Sequence, residues 1–465
     1  MSVQESSWKP ELESSDQPLY MAIVKAIEDD VHNGRLSDET KLPTHRELAD
    51  RLSIAIGTVT RAYAEAEQRG LIRSEGRRGT FVGSPRTGRS ILARIAARPP
   101  MGIDLSKNHP VYHLDPDLPS ALKRLARSRN AHSLLEYPPA AGFSRHRESG
   151  AKWLQSLGAS AEPESVFVTS GAQHALSVIL SAETKHGDSI AVERFTYTGI
   201  RALAEQMNLQ VVGIQSDESG MLPDALEAAC RHRRIRVLYC NPSLQNPTNI
   251  IWPKERRKEI AEVAERHGIT VIEDEIMRPL LAGHPGYIST LIPEQSYLTI
   301  SASKSIAAGL RIGFVVAPSR SHRKMIEGLN ASCLGVTPLV GELFSLWLED
   351  GTAERIIAQR RIDTARRQEV AAEVFDGHSF RNHPASYHLW LELPGAWTSM
   401  QLAMEAQLRG VVVAPGEAFA VDQKSPVTAV RLSVIVPETM EILRNGLETV
   451  AGVLQGSPGQ NVTTV

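Results

Sequence analysis

A chain of 465 residues is longer than one compact core accommodates, so two or more domains are expected. Its 42% hydrophobic and 22% charged residues are ordinary for a globular protein and exclude a disordered or collagen-like class. The net charge of −2 excludes a polycation, so any nucleic-acid surface must be local.

Such a surface has a place. Residues 1–50 are acidic, whereas residues 71–100 carry Arg73, Arg77, Arg78, Arg86, Arg89, Arg94 and Arg98 against the single acid Glu75, a run suited to a phosphate-facing edge. The cysteines, Cys230, Cys240 and Cys333, are odd in number and lack metal-ligand spacing, which points to a reducing compartment and to no metal. The N-terminus lacks the apolar stretch of a signal peptide and no run approaches membrane-spanning length, so a cytoplasmic chain with no membrane partner is expected.

In chain order, Leu19, Ile23, Ile27 and Val31 predict a helix over 17–34 with these residues inward. Thr44 and Glu47 form a capping-box pattern before a second helix carrying Leu48 and Leu52. A third helix over 55–69 places Val59, Tyr63 and Ala66 inward, and "LIR" and "TFV" flank a Gly/Arg turn that reads as a hairpin. Three helices and a basic hairpin describe a winged helix-turn-helix over residues 1–82 that binds double-stranded DNA. Thr58, Thr60 and Arg61 fall on the recognition helix, Arg46 starts the helix before it, and Arg77, Arg78 and Gly79 make the wing tip.

Residues 83–104, rich in Gly, Pro, Ser and Arg, read as a linker. From about residue 160, β-branched runs such as "SVFVTS", "RIRVLYC" and "GITVIEDE" alternate with helical stretches, including 253–267 and 319–330. That alternation predicts an α/β domain with a mostly parallel sheet and ligands at the strand ends. A long helical stretch near 338–375 leads into a smaller α+β subdomain, and the whole domain spans 105–465.

Within it, "SASKSIAAGLRIGF" places Lys304 among small residues, where an amine has room to form a Schiff base. Asp274 ends a strand, where its carboxylate suits a protonated pyridine nitrogen. The turn Ser170–Gly171–Ala172–Gln173 passes from strand to helix and offers amides to a phosphate. Arg311 adds a forked guanidinium, and Ser301 and Ser303 add hydroxyls.

The N-terminal segment resembles the GntR-type winged helix through Leu42, Pro43, Arg46, Leu48, Ala49, Thr58, Val59, Ala62, Tyr63, Gly70, Leu71, Ile72, Gly79, Thr80 and Phe81. It departs from that pattern at Ser53, where a turn glycine is usual, at Ala55, where a capping serine is usual, and at Ile56, where an arginine is frequent. Residues 105–455 resemble a fold-type-I pyridoxal-phosphate protein of the aspartate aminotransferase superfamily. This resemblance implies pyridoxal 5′-phosphate as cofactor, with Lys304 as its Schiff-base lysine, Asp274 as the ring-nitrogen partner and Arg311 as a phosphate ligand. It further implies Asn246 on the phenolic oxygen, Tyr197 stacked on the ring, Tyr137 reaching the phosphate across a dimer interface, and Arg431 receiving a substrate carboxylate. A tyrosine usual after the aspartate is absent, Glu275, Ile276 and Met277 standing there, and Asn249 replaces a usual glycine.

Together the two halves resemble the MocR subgroup of GntR regulators. That implies a head-to-tail homodimer that senses an amine or amino acid by aldimine exchange at Lys304 and changes its hold on DNA. A working aminotransferase carrying an N-terminal helix-turn-helix is the alternative, since Lys304 and Arg431 both remain. A regulator that has lost the cofactor is a third reading, which the retained lysine, aspartate and arginine oppose.

Overall fold

The structure, a computed structural model, describes residues 8–10, 18–32, 35–36, 40–68, 71–74, 79–82, 102–128, 131–283, 285–422 and 427–456. The chain divides into two compact units, Met1–Ala93 and Arg94–Val465.

The first unit packs α1 (Leu19–His32), α2 (His45–Leu52) and α3 (Ile56–Gln68) with an antiparallel hairpin of β1 (Ile72–Ser74) and β2 (Thr80–Val82). Thr44 caps α2 by accepting from the Glu47 amide, while the Glu47 carboxylate accepts from the Thr44 amide, satisfying two helix-start donors. Ser53 ends α2 in the left-handed conformation, φ 54°, the backbone for which glycine is usual. The core is Ile23, Ile27, Val59, Ala62, Tyr63 and Ala66, and the Tyr63 hydroxyl donates to the Pro43 carbonyl over 2.9 Å. Two expectations change. Leu19, at the first residue of α1, lies beyond the core and is 44% exposed. Arg73 does not join a phosphate-facing edge: it is buried, lies over the ring of its cross-strand partner Phe81 and donates to the Val82 carbonyl.

The second unit is built on a seven-stranded sheet. Its strands are β4 (Val166–Thr169), β5 (Ser189–Glu193), β6 (Gln210–Ile214), β7 (Ile235–Cys240), β8 (Thr270–Asp274), β9 (Ser296–Ser301) and β10 (Gly313–Val316), once β3 is assigned to Ile103–Asp104. The spatial order is β4-β10-β9-β8-β7-β5-β6, parallel except for β10, which runs antiparallel to both neighbours. The strands read as continuous apolar runs because helices cover both faces, as a parallel sheet requires. The stretch near 338–375 is two helices, Pro338–Glu349 and Thr352–Val374, separated at Gly351 with φ 74°.

The smaller subdomain is an antiparallel sheet of β11 (Phe380–Arg381), β12 (His388–Glu392), β14 (Ala414–Pro415) and β15 (Ala429–Ser433), in the order β11-β12-β15-β14. The strand β13 (Val411–Val412) lies outside that sheet and pairs in parallel with β3. Ile103 and Asp104, at the end of the segment read as a linker, are thus strand. No single helix among the described residues is long and apolar enough to cross a membrane.

Candidate cofactor site and DNA-binding face

The parallel strands β5, β7 and β8 end at one edge of the large sheet, and the site is assembled there. β8 delivers Asp274, whose Oδ2 accepts from the Tyr239 hydroxyl over 2.9 Å and whose main-chain carbonyl accepts from Asn241 Nδ2. Burial pushes the Asp274 carboxyl up to about 6. On either side of it, Glu273 and Glu275 share the buried Arg257 at 3.2 and 2.8 Å, so the strand end is held by a charge cluster that water does not screen.

Lys304 follows β9 in a tight turn, and its Nζ donates to the Asn108 carbonyl. Burial lowers its amine to about 8, helped by the nearby Arg431 and Arg311 and opposed by Asp274. At pH 7.5 about a quarter of such amines are free base, against about one in a thousand for an ordinary lysine.

The β4-to-helix turn faces this amine's neighbour Arg311. Gly171 has φ 81°, and a Cβ there would stand 2.9 Å from Arg311 Nη2. Arg311, itself left-handed at φ 50°, donates to Ser303 Oγ over 3.2 Å and reaches the Ser170 carbonyl at 3.5 Å. Ser301 is buried and its Oγ accepts from the Ser303 amide. The Ser170 amide donates to His174 Nδ1 over 3.0 Å and the Gly171 amide to the Thr169 carbonyl, so among the described residues Ala172, Gln173 and His174 carry the helix-start amides without an acceptor. Because an amide only donates, His174 carries its proton on Nε2, which faces Ser332 Oγ at 2.8 Å.

The side flanks complete the pocket. Tyr197 donates its hydroxyl to Gln173 Oε1 over 3.0 Å, and burial together with Asp274 pushes that phenol up. Arg431, on β15, donates through Nη1 to Asn246 Oδ1 over 2.9 Å and through Nη2 to the Ser106 carbonyl. Its guanidinium lies 4.8 Å over the Phe419 ring, its buried Nε has no hydrogen-bond partner among the described residues, and burial lowers it to about 10. Asn249, in the position of a usual glycine, takes φ 61° and ties its side chain to the His388 carbonyl. The structure therefore brings together Lys304, Asp274, Asn246, Tyr197, Arg311, Arg431 and the 170–173 turn. Tyr137 is not among them within one chain, being 85% exposed.

In the first unit, Arg46 and Thr60 are exposed and Thr58 is half-buried. Arg61 lies over the Tyr20 ring at 4.1 Å and donates to its hydroxyl, so α1 holds it. Ile56, where an arginine is frequent, is 48% exposed at the start of α3. Gly79 takes φ 110°, and the wing-tip residues Arg77 and Arg78 lie outside the described residues, as do Arg86, Arg89, Arg94 and Arg98.

Residues 19–82 match the family of bacterial regulatory proteins of the gntR type, and residues 100–447 match the aminotransferase class I and II family. The HTH-type transcriptional regulator YdeF of Bacillus subtilis is 30% identical over 441 residues, 95% of each chain. The chain belongs to the MocR subgroup of GntR-family transcriptional regulators. The vitamin B6 salvage pathway transcriptional repressor PtsJ of Salmonella typhimurium is 28% identical to this MocR regulator, over 89% of this chain and 94% of its own. The α-aminoadipate aminotransferase LysN of Thermus thermophilus, solved with N-(5′-phosphopyridoxyl)-L-leucine, superposes with a TM-score of 0.69 at 23% identity, covering 76% of this chain and 92% of its own. This MocR regulator's aminotransferase-like domain is a pyridoxal 5′-phosphate domain. The residues present fit that group: a depressed lysine amine, a buried carboxylate, unclaimed helix-start amides beside an arginine, and an orphaned Nε on Arg431.

Sequence reasoning missed several residues of this MocR site. Tyr239 supplies the phenol on Asp274, and its place two residues before Asn241 at a strand end was the available sign. Asn108 and Ser106 act through main-chain carbonyls, which no residue type announces. His388 reaches Asn108 Nδ2 at 3.2 Å, and burial with the nearby Arg431 keeps its imidazole neutral.

Proposed function

We propose that this regulator senses a small amine or amino acid at Lys304 and alters its grip on double-stranded DNA in response. The observation that carries the reading is the short segment 103–108. It continues directly from the linker, and it accepts hydrogen bonds from both Lys304 and Arg431, through the Asn108 and Ser106 carbonyls.

Bound pyridoxal phosphate supplies an aldehyde that condenses with amines and a ring that withdraws electrons. The chain's own residues do the rest. Lys304, in its free-base form, would supply the amine that tethers the cofactor, Asp274 would accept from the ring nitrogen, and Asn246 with Tyr197 would flank the ring. Ala172, Gln173, Ser301, Ser303 and Arg311 hold the phosphate, with Ser170 and Gly171 shaping the turn. A ligand amine would take the place of Lys304, and its carboxylate would be received by the Nη atoms of Arg431. The ligand carboxylate would then compete with the Ser106 carbonyl for Arg431, the released Lys304 amine would be free to donate to the Asn108 carbonyl, and the segment would pass the change toward the linker. A ligand shifts the DNA equilibrium only by its differential affinity for the two arrangements, and these two bonds supply such a difference.

On the DNA side, Arg46, Thr58, Thr60 and Gly79 meet the duplex together with Arg77 and Arg78, while Arg61 braces α3 against α1. The working unit is a cytoplasmic head-to-tail homodimer, which agrees with Tyr137 standing exposed and available to a second chain. The depressed amine of Lys304 would also be a competent proton acceptor for a slow transamination half-reaction.

The test pairs absorbance spectra with operator mobility shifts across a panel of amino acids and amines. A ligand that changes the cofactor spectrum and the DNA affinity together is the expected result. Borohydride reduction and peptide mapping should place the cofactor on Lys304. Rapid multiple turnover with no effect on DNA would identify an enzyme in place of a sensor.

A further inference from the structure

Behind the cofactor site, where the large sheet meets the smaller subdomain, lies a cavity of about 330 Å³ that shares no residue with the site above. Its size is that of a small-molecule pocket. The apolar wall consists of Phe195, Ile250 and Trp390, with the Phe195 and Trp390 rings 5.4 Å apart. Arg194 reaches it from the end of β5 and Arg381 from β11, one from each side of the cleft. Among the described residues neither guanidinium is in an ion pair, although ion pairs are common elsewhere in this unit.

Among the described residues the acids around the cavity make no ion pair with these two guanidinium groups. Asp217 is held by both terminal nitrogens of Arg256 at 2.9 Å, and Glu392 accepts from Ser379 Oγ at 2.7 Å. Glu193 is buried beneath the cavity with its carboxyl pushed up to about 8, so at neutral pH it is mostly uncharged. Glu218 is exposed. Two arginines without carboxylate partners beside an aromatic wall are the chemistry that receives a planar organic anion.

We propose that this cleft is a second ligand site, taking a small carboxylate with a flat apolar body that bridges the two parts of the effector domain. Such a ligand would press on both ends of the Asn246–Arg431 bond. Gln245 lines the cavity, donates to the Phe195 carbonyl over 2.6 Å and immediately precedes Asn246. Trp390 lines it too and stands directly opposite Arg431 in the strand register. Occupancy here therefore couples to the amine site, and linkage makes that coupling reciprocal.

The experiment must keep the probe out of the first site. Full-length protein is loaded with N-(5′-phosphopyridoxyl)-L-leucine, whose phosphate and carboxylate occupy Arg311 and Arg431, and the heat of loading reports that step separately. Benzoate, which has no amine, is then titrated by calorimetry, with inorganic phosphate as a parallel probe. The expected result is one benzoate per chain, weakened about tenfold or more by Arg381→Ala and by Arg194→Ala, each the loss of a charged hydrogen bond. Both arginines are outside the cores, so the variants should fold, and circular dichroism checks that they do. No benzoate heat in the loaded protein, or binding that neither substitution weakens, overturns the site. Phosphate binding as tightly as benzoate overturns the assignment to an organic anion.

Discussion

Arg431 donates from Nη1 to Oδ1 of Asn246 over 2.9 Å, joining a strand of the small subdomain to a loop of the large one, 185 residues away in the chain. Replacing Asn246 with Ala leaves a buried guanidinium nitrogen short of a partner, at a cost of about 1.5–3 kcal/mol for a charged bond. Because a ligand carboxylate supplies the acceptor that Asn246 no longer provides, affinity for amino-acid ligands should rise by about tenfold or more, while cofactor attachment at Lys304 persists. An absorbance titration of the wild type and Asn246→Ala with the same ligand measures both quantities.

Loading of the apoprotein with cofactor should follow the free base of Lys304. Since that amine sits at about 8, the rate should climb about tenfold per pH unit below pH 8 and level off above it. Arg431 is one of the charges that depresses the amine, so Arg431→Gln should move the inflection to higher pH. Asp274 acts in the opposite direction, and Asp274→Asn should move it lower. Stopped-flow absorbance across pH 6–10 reads the inflection, and an unmoved inflection in both variants would show that burial alone sets the amine.

Glu193 is buried with its carboxyl raised to about 8 from an ordinary value near 4.5. The folded state thus holds this proton more tightly than the unfolded chain. Its contribution to stability is complete below about pH 4.5 and is lost as pH rises through 8. Glu193→Gln removes that titration, so the variant should gain on the wild type steadily across this window. Chemical denaturation at pH 5, 7 and 9 checks the sign.

Arg46 and Arg61 should separate in DNA binding. Arg46 is exposed, so Arg46→Ala should weaken binding and reduce the salt slope by about one, the mark of a lost phosphate contact. Arg61 is stacked on Tyr20, so Arg61→Ala should cost about 0.5–1 kcal/mol of domain stability and leave the salt slope unchanged. Mobility shifts at several salt concentrations, with thermal melts, distinguish the two. A slope reduced by one in Arg61→Ala would make that residue a phosphate contact.

His174 should govern cofactor retention. Its Nδ1 fixes the Ser170 amide and thereby the shape of the phosphate turn. Replacing it with Leu deprives that amide of its acceptor at a cost of about 1–3 kcal/mol, and the cofactor dissociation constant should rise by about tenfold. Equilibrium dialysis of the cofactor measures it.

What was legible in the sequence was whatever a local pattern encodes. Lys304, Asp274 and the 170–173 turn sit at strand ends flanked by diagnostic neighbours, and the capping box of α2 is two residues three apart. Asn249 could be read as left-handed because it stands where the related proteins carry a glycine and asparagine tolerates that backbone. Contacts that close over long stretches were not legible: Lys304 meets Asn108 across 196 residues, and the partner atom is a main-chain oxygen. Arg73 misled because composition counts its charge without its contacts, and the Phe81 ring and the Val82 carbonyl across the hairpin hold it buried. Arg61 was read from its helix position, while the aromatic ring that holds it belongs to a helix 41 residues earlier.

The leash formed by residues 103–108 also bears on how this protein varies. Its two anchor points are carbonyl oxygens of the peptide chain, at Ser106 and Asn108, so no exchange of either side chain deletes them. Mutation can reach the coupling only from the other side, at Lys304 and Arg431, or by bending the leash itself with proline. The side chains around the ligand are thus free to drift toward new amines while the transmission stays the same, which would let one inherited lever serve many chemical inputs.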